Sequence, residues 1–140
     1  MAVLILDASV TLAWLLPDEV DRERAALLVE RAFVEGAVAP PIWPSEVGNA
    51  LLVAERRGRV PARDSERLTR SFLALAANVE IAAGHDAPAL GRRPDLARRH
   101  GLSFYDASYL ELAGRLALPL ATFDARLRRA AEAERVPLAG

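Results

Sequence analysis

The run Val3-Leu-Ile-Leu6 is a short, unbroken stretch of apolar residues with no alternation of polar and apolar positions. A strand of this kind has no face to give to water. It belongs at the centre of a sheet covered on both sides, which is what parallel sheets require. The rest of the chain supplies the covering helices. Ser9–Leu16 reads as a short helix ended by Pro17, and Val20–Glu35 carries Ala25, Leu28, Val29, Ala32 and Phe33 at helical spacing before Gly36. Ala37-Val-Ala-Pro40 is a second strand. Pro44 opens a helix that runs to about Arg57, and Pro61–Ala77 forms another with Leu68, Phe72 and Leu75 on one stripe.

Val79-Glu-Ile-Ala82 is a third strand. Residues 84–101 hold three glycines, two prolines and four arginines and read as loop, with room for one short helix. Tyr105, Tyr109, Leu112 and Leu116 mark an amphipathic helix, and Leu118-Pro-Leu-Ala-Thr122 is a strand. Phe123–Glu134 is a helix with Phe123, Leu127, Ala130 and Ala131 inward. Val136-Pro-Leu138 is a last strand, which its proline confines to an edge. This alternation predicts one α/β sandwich around a mostly parallel sheet, a single domain over residues 1–140. A chain of 140 residues suits such a domain and should bury roughly 68–70% of its unfolded surface.

Composition excludes several chemistries. The formal charge is −1, so no global basic field holds nucleic acid. There is no cysteine, which removes thiolate zinc sites and cysteine nucleophiles. All 18 basic residues are arginine, so a Walker A lysine, a Schiff base and a lysine base are impossible. The only histidines are His85 and His100, too few for a three-histidine metal site. No segment reads as an export signal or membrane span, and the expectation is a soluble, cytoplasmic protein.

Most carboxylates sit on charged helix faces beside arginine, but four do not. Asp7 lies inside the apolar stretch Val3–Leu16. Glu46 falls in a first helical turn, Asp106 opens the amphipathic helix, and Asp124 directly follows a strand. An acid at a helix start is ordinarily a cap or a partner of the macrodipole, and a parallel sheet gathers helix starts at one end. Asp106 and Asp124 taken singly fit that reading, whereas Glu46 has Trp43 in place of a capping hydroxyl. Asp7 does not fit it. A carboxylate among apolar neighbours must be neutralised, hydrogen-bonded or bound to a cation. Open α/β sheets place ligands at the carboxyl ends of their strands. Four acids converging there call for a divalent ion, and all-oxygen ligands select Mg²⁺ or Mn²⁺ over zinc. Such ions activate water and clamp a phosphodiester displacement, which needs neither Lys nor Cys.

Leu6-Asp-Ala-Ser9, Pro44-Ser-Glu-Val-Gly-Asn-Ala-Leu51, Leu102-Ser-Phe-Tyr-Asp-Ala-Ser-Tyr109 and Ala121-Thr-Phe-Asp124 resemble the four signature segments of PIN-domain nucleases, most of all the bacterial VapC-like toxins. The likeness covers about Val3 to Leu138, with the segments in family order. It implies a three-layer α/β/α sandwich with about five parallel strands and an acidic, metal-dependent ribonuclease site. Asp7 and Asp106 match the core metal-binding positions, Glu46 and Asp124 the other two acids, and Ser9 and Thr122 the neighbouring hydroxyls. It further implies a homodimer, an RNA substrate and a VapB-like antitoxin laid across the site, for which Trp14, Leu15 and Leu16 are the expected contacts.

Supporting residues have plainer readings beside functional ones. Asn49 follows Glu46 by three positions and either orients it or is an ordinary helix polar residue. Arg56, Arg57 and Arg59, then Arg92, Arg93, Arg98 and Arg99, then Arg126, Arg128 and Arg129 form three local patches suited to phosphates or to plain solvation. Trp14 and Trp43 read as core or interface. Two other functions compete. One is an aspartyl phosphotransferase of haloacid-dehalogenase type, which wants an Asp where Ser9 stands and usually a Lys; response-regulator receivers fail on Lys too. The other is a PIN-like module that binds RNA or protein without turnover.

Overall fold

A computed structural model describes residues 2–83 and 87–140; His85 lies outside the described residues. Among the described residues four strands, β1 (Leu4–Leu6), β2 (Ala37–Ala39), β3 (Val79–Ile81) and β4 (Leu120–Ala121), form one sheet in the order β3-β2-β1-β4. Every pairing is parallel, with Leu4 opposite Ala37 and Ile5 opposite Leu120. β1 is central, and Leu4, Ile5 and Leu6 are fully buried, as a run with no polar face requires. The expected fifth strand is reduced to one parallel bridge between Leu138 and Leu120 at the β4 edge. Pro137 supplies its carbonyl to Leu120 N–H but has no N–H of its own to extend the ladder.

Among the described residues seven helices surround the sheet: α1 (Ala8–Leu15), α2 (Arg22–Glu35), α3 (Trp43–Arg56), α4 (Ala62–Ala76), α5 (Ala87–His100), α6 (Phe104–Leu116) and α7 (Ala125–Ala133). Helices α1 to α4 pack among themselves, while α6 rests on β1 and β4 with α5 and α7 beside it. The result is the three-layer sandwich expected. Trp43 is core: its indole N–H donates to Thr11 and its ring meets Phe72 edge-on. Trp14 is partly buried and meets Phe33 in the same way.

Three expectations need correction. Residues 87–100 are a full helix, not loop. Pro88 sits in the first turn, where its missing N–H costs little, although Pro94 lies inside. The buried face of α5 runs through Ala89 and Arg93, with Leu96 and Ala97 packed against the core. An arginine in a core position hid the apolar stripe. Second, α6 is buried all round its middle, from Ala107 to Ala113, whereas Tyr105 and Leu116 are exposed. Third, Leu15 and Leu16 are each only 3% exposed, and Leu16 packs in a small core with Ala54, Val60 and Leu68. Neither offers a surface to a partner.

What makes Arg93 tolerable inside is Glu111 on α6, a carboxylate whose side chain is 1% exposed. Its oxygens take Arg115 Nε at 3.0 Å, with Arg92 and Arg93 guanidinium nitrogens each at 3.8 Å. Removing one member of a buried ion pair costs about 3 kcal/mol or more, because the other charge stays inside. Glu111→Gln is therefore expected to lower unfolding stability by about 3 kcal/mol; urea denaturation with an unchanged midpoint would show that these ions contribute nothing.

Candidate active site

The parallel register delivers the site. Asp7 leaves β1 beside the end of β4, where its N–H donates to Ala121 O at 3.0 Å, so Asp7 and Thr122 emerge side by side. The Asp7 side chain is buried, and its Oδ2 accepts the Ser9 hydroxyl at 2.6 Å and the Thr122 hydroxyl at 2.7 Å. Those hydroxyls are held in turn. Ser9 Oγ accepts Phe123 N–H at 3.0 Å, and Thr122 Oγ1 accepts Asp124 N–H at 3.1 Å. Arg128 Nη1 donates to Thr122 O at 2.7 Å and braces the same turn. Thr122 thus serves the local backbone and Asp7 together.

Asp124 is the N-cap of α7, with Oδ1 accepting Leu127 N–H at 2.8 Å. The capping account of Asp124 is correct as far as that oxygen goes. For Asp106 it is not. Ser103 is the cap of α6 and accepts Asp106 N–H at 3.0 Å, leaving the Asp106 carboxylate free of that duty. Glu46, in the first turn of α3, accepts the Tyr109 hydroxyl at 2.6 Å. Tyr109 had the look of a core residue in its helix, and it is buried. Its position three residues after Asp106 puts its polar tip on nearly the same helix face, and that spacing was the available signal.

One cavity of about 360 Å³ is lined by Asp7, Ser9, Glu46, Asn49, Asp106 and Asp124. All four singled-out acids meet there, and Asn49 joins them. Burial pushes the Asp7 carboxyl above its usual range, the Ser9 and Thr122 hydrogen bonds oppose that, and the Asp106 charge adds to it. Burial likewise raises Glu46, with Asp7 and Asp106 contributing against the Tyr109 bond. Asp106 is raised by burial and by Asp124. These acids repel one another, and among the described residues no salt bridge reaches Asp7. The contrast with Glu111, equally buried but surrounded by arginine, is one of chemistry.

All-oxygen donors under mutual repulsion fit a hard divalent cation. Among the described residues, no three acid or histidine side chains stand close enough to enclose one ion. Five of the ten expected phosphate-gripping arginines are engaged with acids elsewhere. Arg59 binds Asp18 and Glu19, Arg92 and Arg93 face Glu111, Arg98 faces Asp95, and Arg99 binds Glu134.

A family model described as PIN domain matches residues 4–133. No curated protein matches the chain in sequence. Among solved structures, the chain is similar to PAE2754 from Pyrobaculum aerophilum, at 28% identity and TM-score 0.70, over 93% of this chain and 87% of that one. It shares its fold with FitAcB from Neisseria gonorrhoeae, at 21% identity and TM-score 0.67, over 98% and 96% of the two chains.

The sign of the Asp7 shift gives a stability test. A folded-state pKa raised above the unfolded value means that the charged form opposes folding. The cost is full above the folded pKa and vanishes below the unfolded value of about 4. Asp7→Asn keeps an oxygen for both hydroxyls and removes the charge. In metal-free buffer it should raise the melting temperature at pH 7, with the gain shrinking towards pH 4. A lowered midpoint at pH 7 would mean that the charge itself stabilises the fold.

Proposed function

Because the chain belongs to the PIN-domain family, whose members are typically nucleases, we propose that it is a metal-dependent endoribonuclease. We read it further as the VapC-like toxin of a toxin–antitoxin pair, a cytoplasmic homodimer inhibited by a VapB-like antitoxin. The observation that carries the nuclease reading is the buried Asp7 carboxylate, without an arginine partner among the described residues, facing three more acids around one cavity. The toxin reading rests on the likeness of the four acid-bearing segments to that group.

Asp7 and Asp106 would hold Mg²⁺ or Mn²⁺, with Glu46 and Asp124 completing the acidic wall. A bound divalent ion supplies charge neutralisation for the phosphodiester and lowers the pKa of water. The chain's own residues do the positioning. Ser9 and Thr122 fix one Asp7 oxygen, and their main-chain partners at Phe123 and Asp124 lock that pair to the β4–α7 turn. Tyr109 pins Glu46 against repulsion from Asp7 and Asp106. Asn49 lines the cavity and would donate to a substrate oxygen or a water. Family membership leaves the aspartyl phosphotransferase without support. A binding module without turnover draws on one observation, the open spacing of the acids.

Purified protein freed of any antitoxin should cleave RNA with Mn²⁺ or Mg²⁺, and lose that activity in EDTA and in Asp7→Asn. Cleavage that persists in Asp7→Asn would place the chemistry elsewhere, and intact RNA across a broad panel would favour the binding module. Tyr109→Phe removes only the donor to Glu46. It should weaken Mn²⁺ binding about tenfold by calorimetry, the usual effect of losing a group that orients a ligand; unchanged affinity would separate Glu46 from the metal.

A further inference from the structure

Helix α2 turns Ala25, Leu28, Val29 and Ala32 to the core, yet its opposite side is not purely polar. Leu27 is 66% exposed and Val34 78%. A lone exposed leucine is ordinary on a protein surface. Here the two stand seven residues apart, a spacing that returns side chains to one line within about 20° on an α-helix. Val20, in the turn before the helix and fully exposed, continues the spacing. A shallow groove of about 300 Å³ lies on this line, walled by Leu27, Glu30, Arg31, Val34 and Glu35. The first four are the i, i+3, i+4 and i+7 residues that form the hole for an incoming side chain when two helices pack.

Charge beside the line is sorted by sign. Helical rotation from Leu27 carries Glu23 and Glu30 to one flank and Arg24 and Arg31 to the other, and all four are exposed. Among the described residues no ion pair engages Glu23 or Glu30. Arg31 reaches Glu35 only at 3.8 Å, whereas Arg24 holds Asp21 at 3.0 Å and lies over the Phe123 ring. Arg31 is therefore the readier of the two to take a new acid. We infer that this face of α2 is an interface for a second copy of the chain, and that the two α2 helices run parallel about a two-fold axis. Such an axis lays the acidic flank of each copy on the basic flank of the other, Glu30 to Arg31 in both directions, with Leu27 on Leu27 and Val34 on Val34. A two-fold axis across the helices, the antiparallel case, would set acid on acid and arginine on arginine. The sorting thus selects both the occupant and its direction, because the chain itself carries both halves of the match. The inference rests on the homodimer reading, to which it gives a surface, and not on the nuclease chemistry. A helix of 14 residues spans about 21 Å, a small contact, so the pair should be concentration-dependent and not obligate.

Sedimentation equilibrium of the purified full chain reads the association constant. Leu27→Glu and Val34→Glu, at positions the fold leaves exposed, should each weaken association about tenfold or more. Glu30→Arg sets arginine against the partner copy's Arg31. Because the two-fold axis repeats each contact, it should weaken association roughly tenfold. Glu30→Arg combined with Arg31→Glu exchanges the flanks and should restore it to within about threefold of the unaltered chain. The chain has no cysteine, so Val34→Cys introduces a single thiol. Under oxidised glutathione that variant should form a reducible covalent dimer, because position 34 meets its own copy in the parallel pair and positions 20 or 27 in an antiparallel one.

Weakened association in Leu27→Glu and Glu30→Arg, recovery in the double exchange and cross-linking of Val34→Cys, with melting temperatures preserved, support the parallel interface. Association that none of these variants moves overturns the α2 surface and leaves the homodimer standing on another face. Stronger association in Glu30→Arg, or a Val34→Cys variant that associates without cross-linking, overturns the parallel direction. An unaltered chain that stays monomeric up to about 1 mM overturns the interface and the homodimer together. RNA cleavage, measured apart from assembly, judges the nuclease reading in every case.

Discussion

The buried Asp7 carboxylate is the constraint around which this molecule is arranged. A charge taken out of water needs compensation, and here it comes from two hydroxyls on one oxygen, not from a counter-ion. Those hydroxyls reach Asp7 because β1 and β4 are adjacent and parallel, ending at the same level. The same hydroxyls accept the N–H groups of Phe123 and Asp124, so the turn that presents Asp124 depends on the residue that Asp124 faces across the cavity. Sheet register, turn geometry and acidic wall are one connected system.

The two buried carboxylates show how the fold separates structure from chemistry. Glu111 is enclosed by the guanidinium groups of Arg92, Arg93 and Arg115, and its role is to let α5 pack against α6. Asp7 is left with repulsive neighbours, Asp106 foremost. An uncompensated cluster opposes folding in itself, which is common where a site is built for a ligand and not for stability. Around that cluster the placement of arginine is selective. Ten of the 18 arginines pair with acids among the described residues, while Arg126 and Arg129 stand at the edge of the centre.

Much of this was legible in the chain. The apolar, non-alternating Val3–Leu6 announces a central strand, and its isolation of Asp7 announces the site. Pro44 and the expected end near Arg57 bracket α3 within a residue, and Glu46, Asp106 and Asp124 stand out by lacking company. The misreadings have specific causes. Arg93 occupies a core position of α5, so a hydropathy pattern cannot show the helix. Tyr105 and Leu116 fall at the right spacing for the α6 stripe but lie beyond the part that α5, α7 and the sheet cover. Leu15 and Leu16 looked available to a partner, yet Leu15 lies in the main core and Leu16 packs against Ala54 of α3 and Leu68 of α4.

What the sequence by itself determined is the alternation of elements, the all-oxygen character of the acids and the absence of Lys and Cys chemistry. Each is a property of residue type or of periodicity within one element. What only the tertiary structure decided is which charges are paired: three arginines on Glu111, none on Asp7, the Tyr109 hydroxyl on Glu46, and two arginines beside Asp106 and Asp124. Electrostatic energies depend on distance and burial, and the partners lie as far as 115 residues apart in the chain, as Thr122 is from Asp7. No local pattern encodes such distances. They are set when the parallel sheet brings the ends of β1 and β4 together and the helix starts of α3, α6 and α7 close around them.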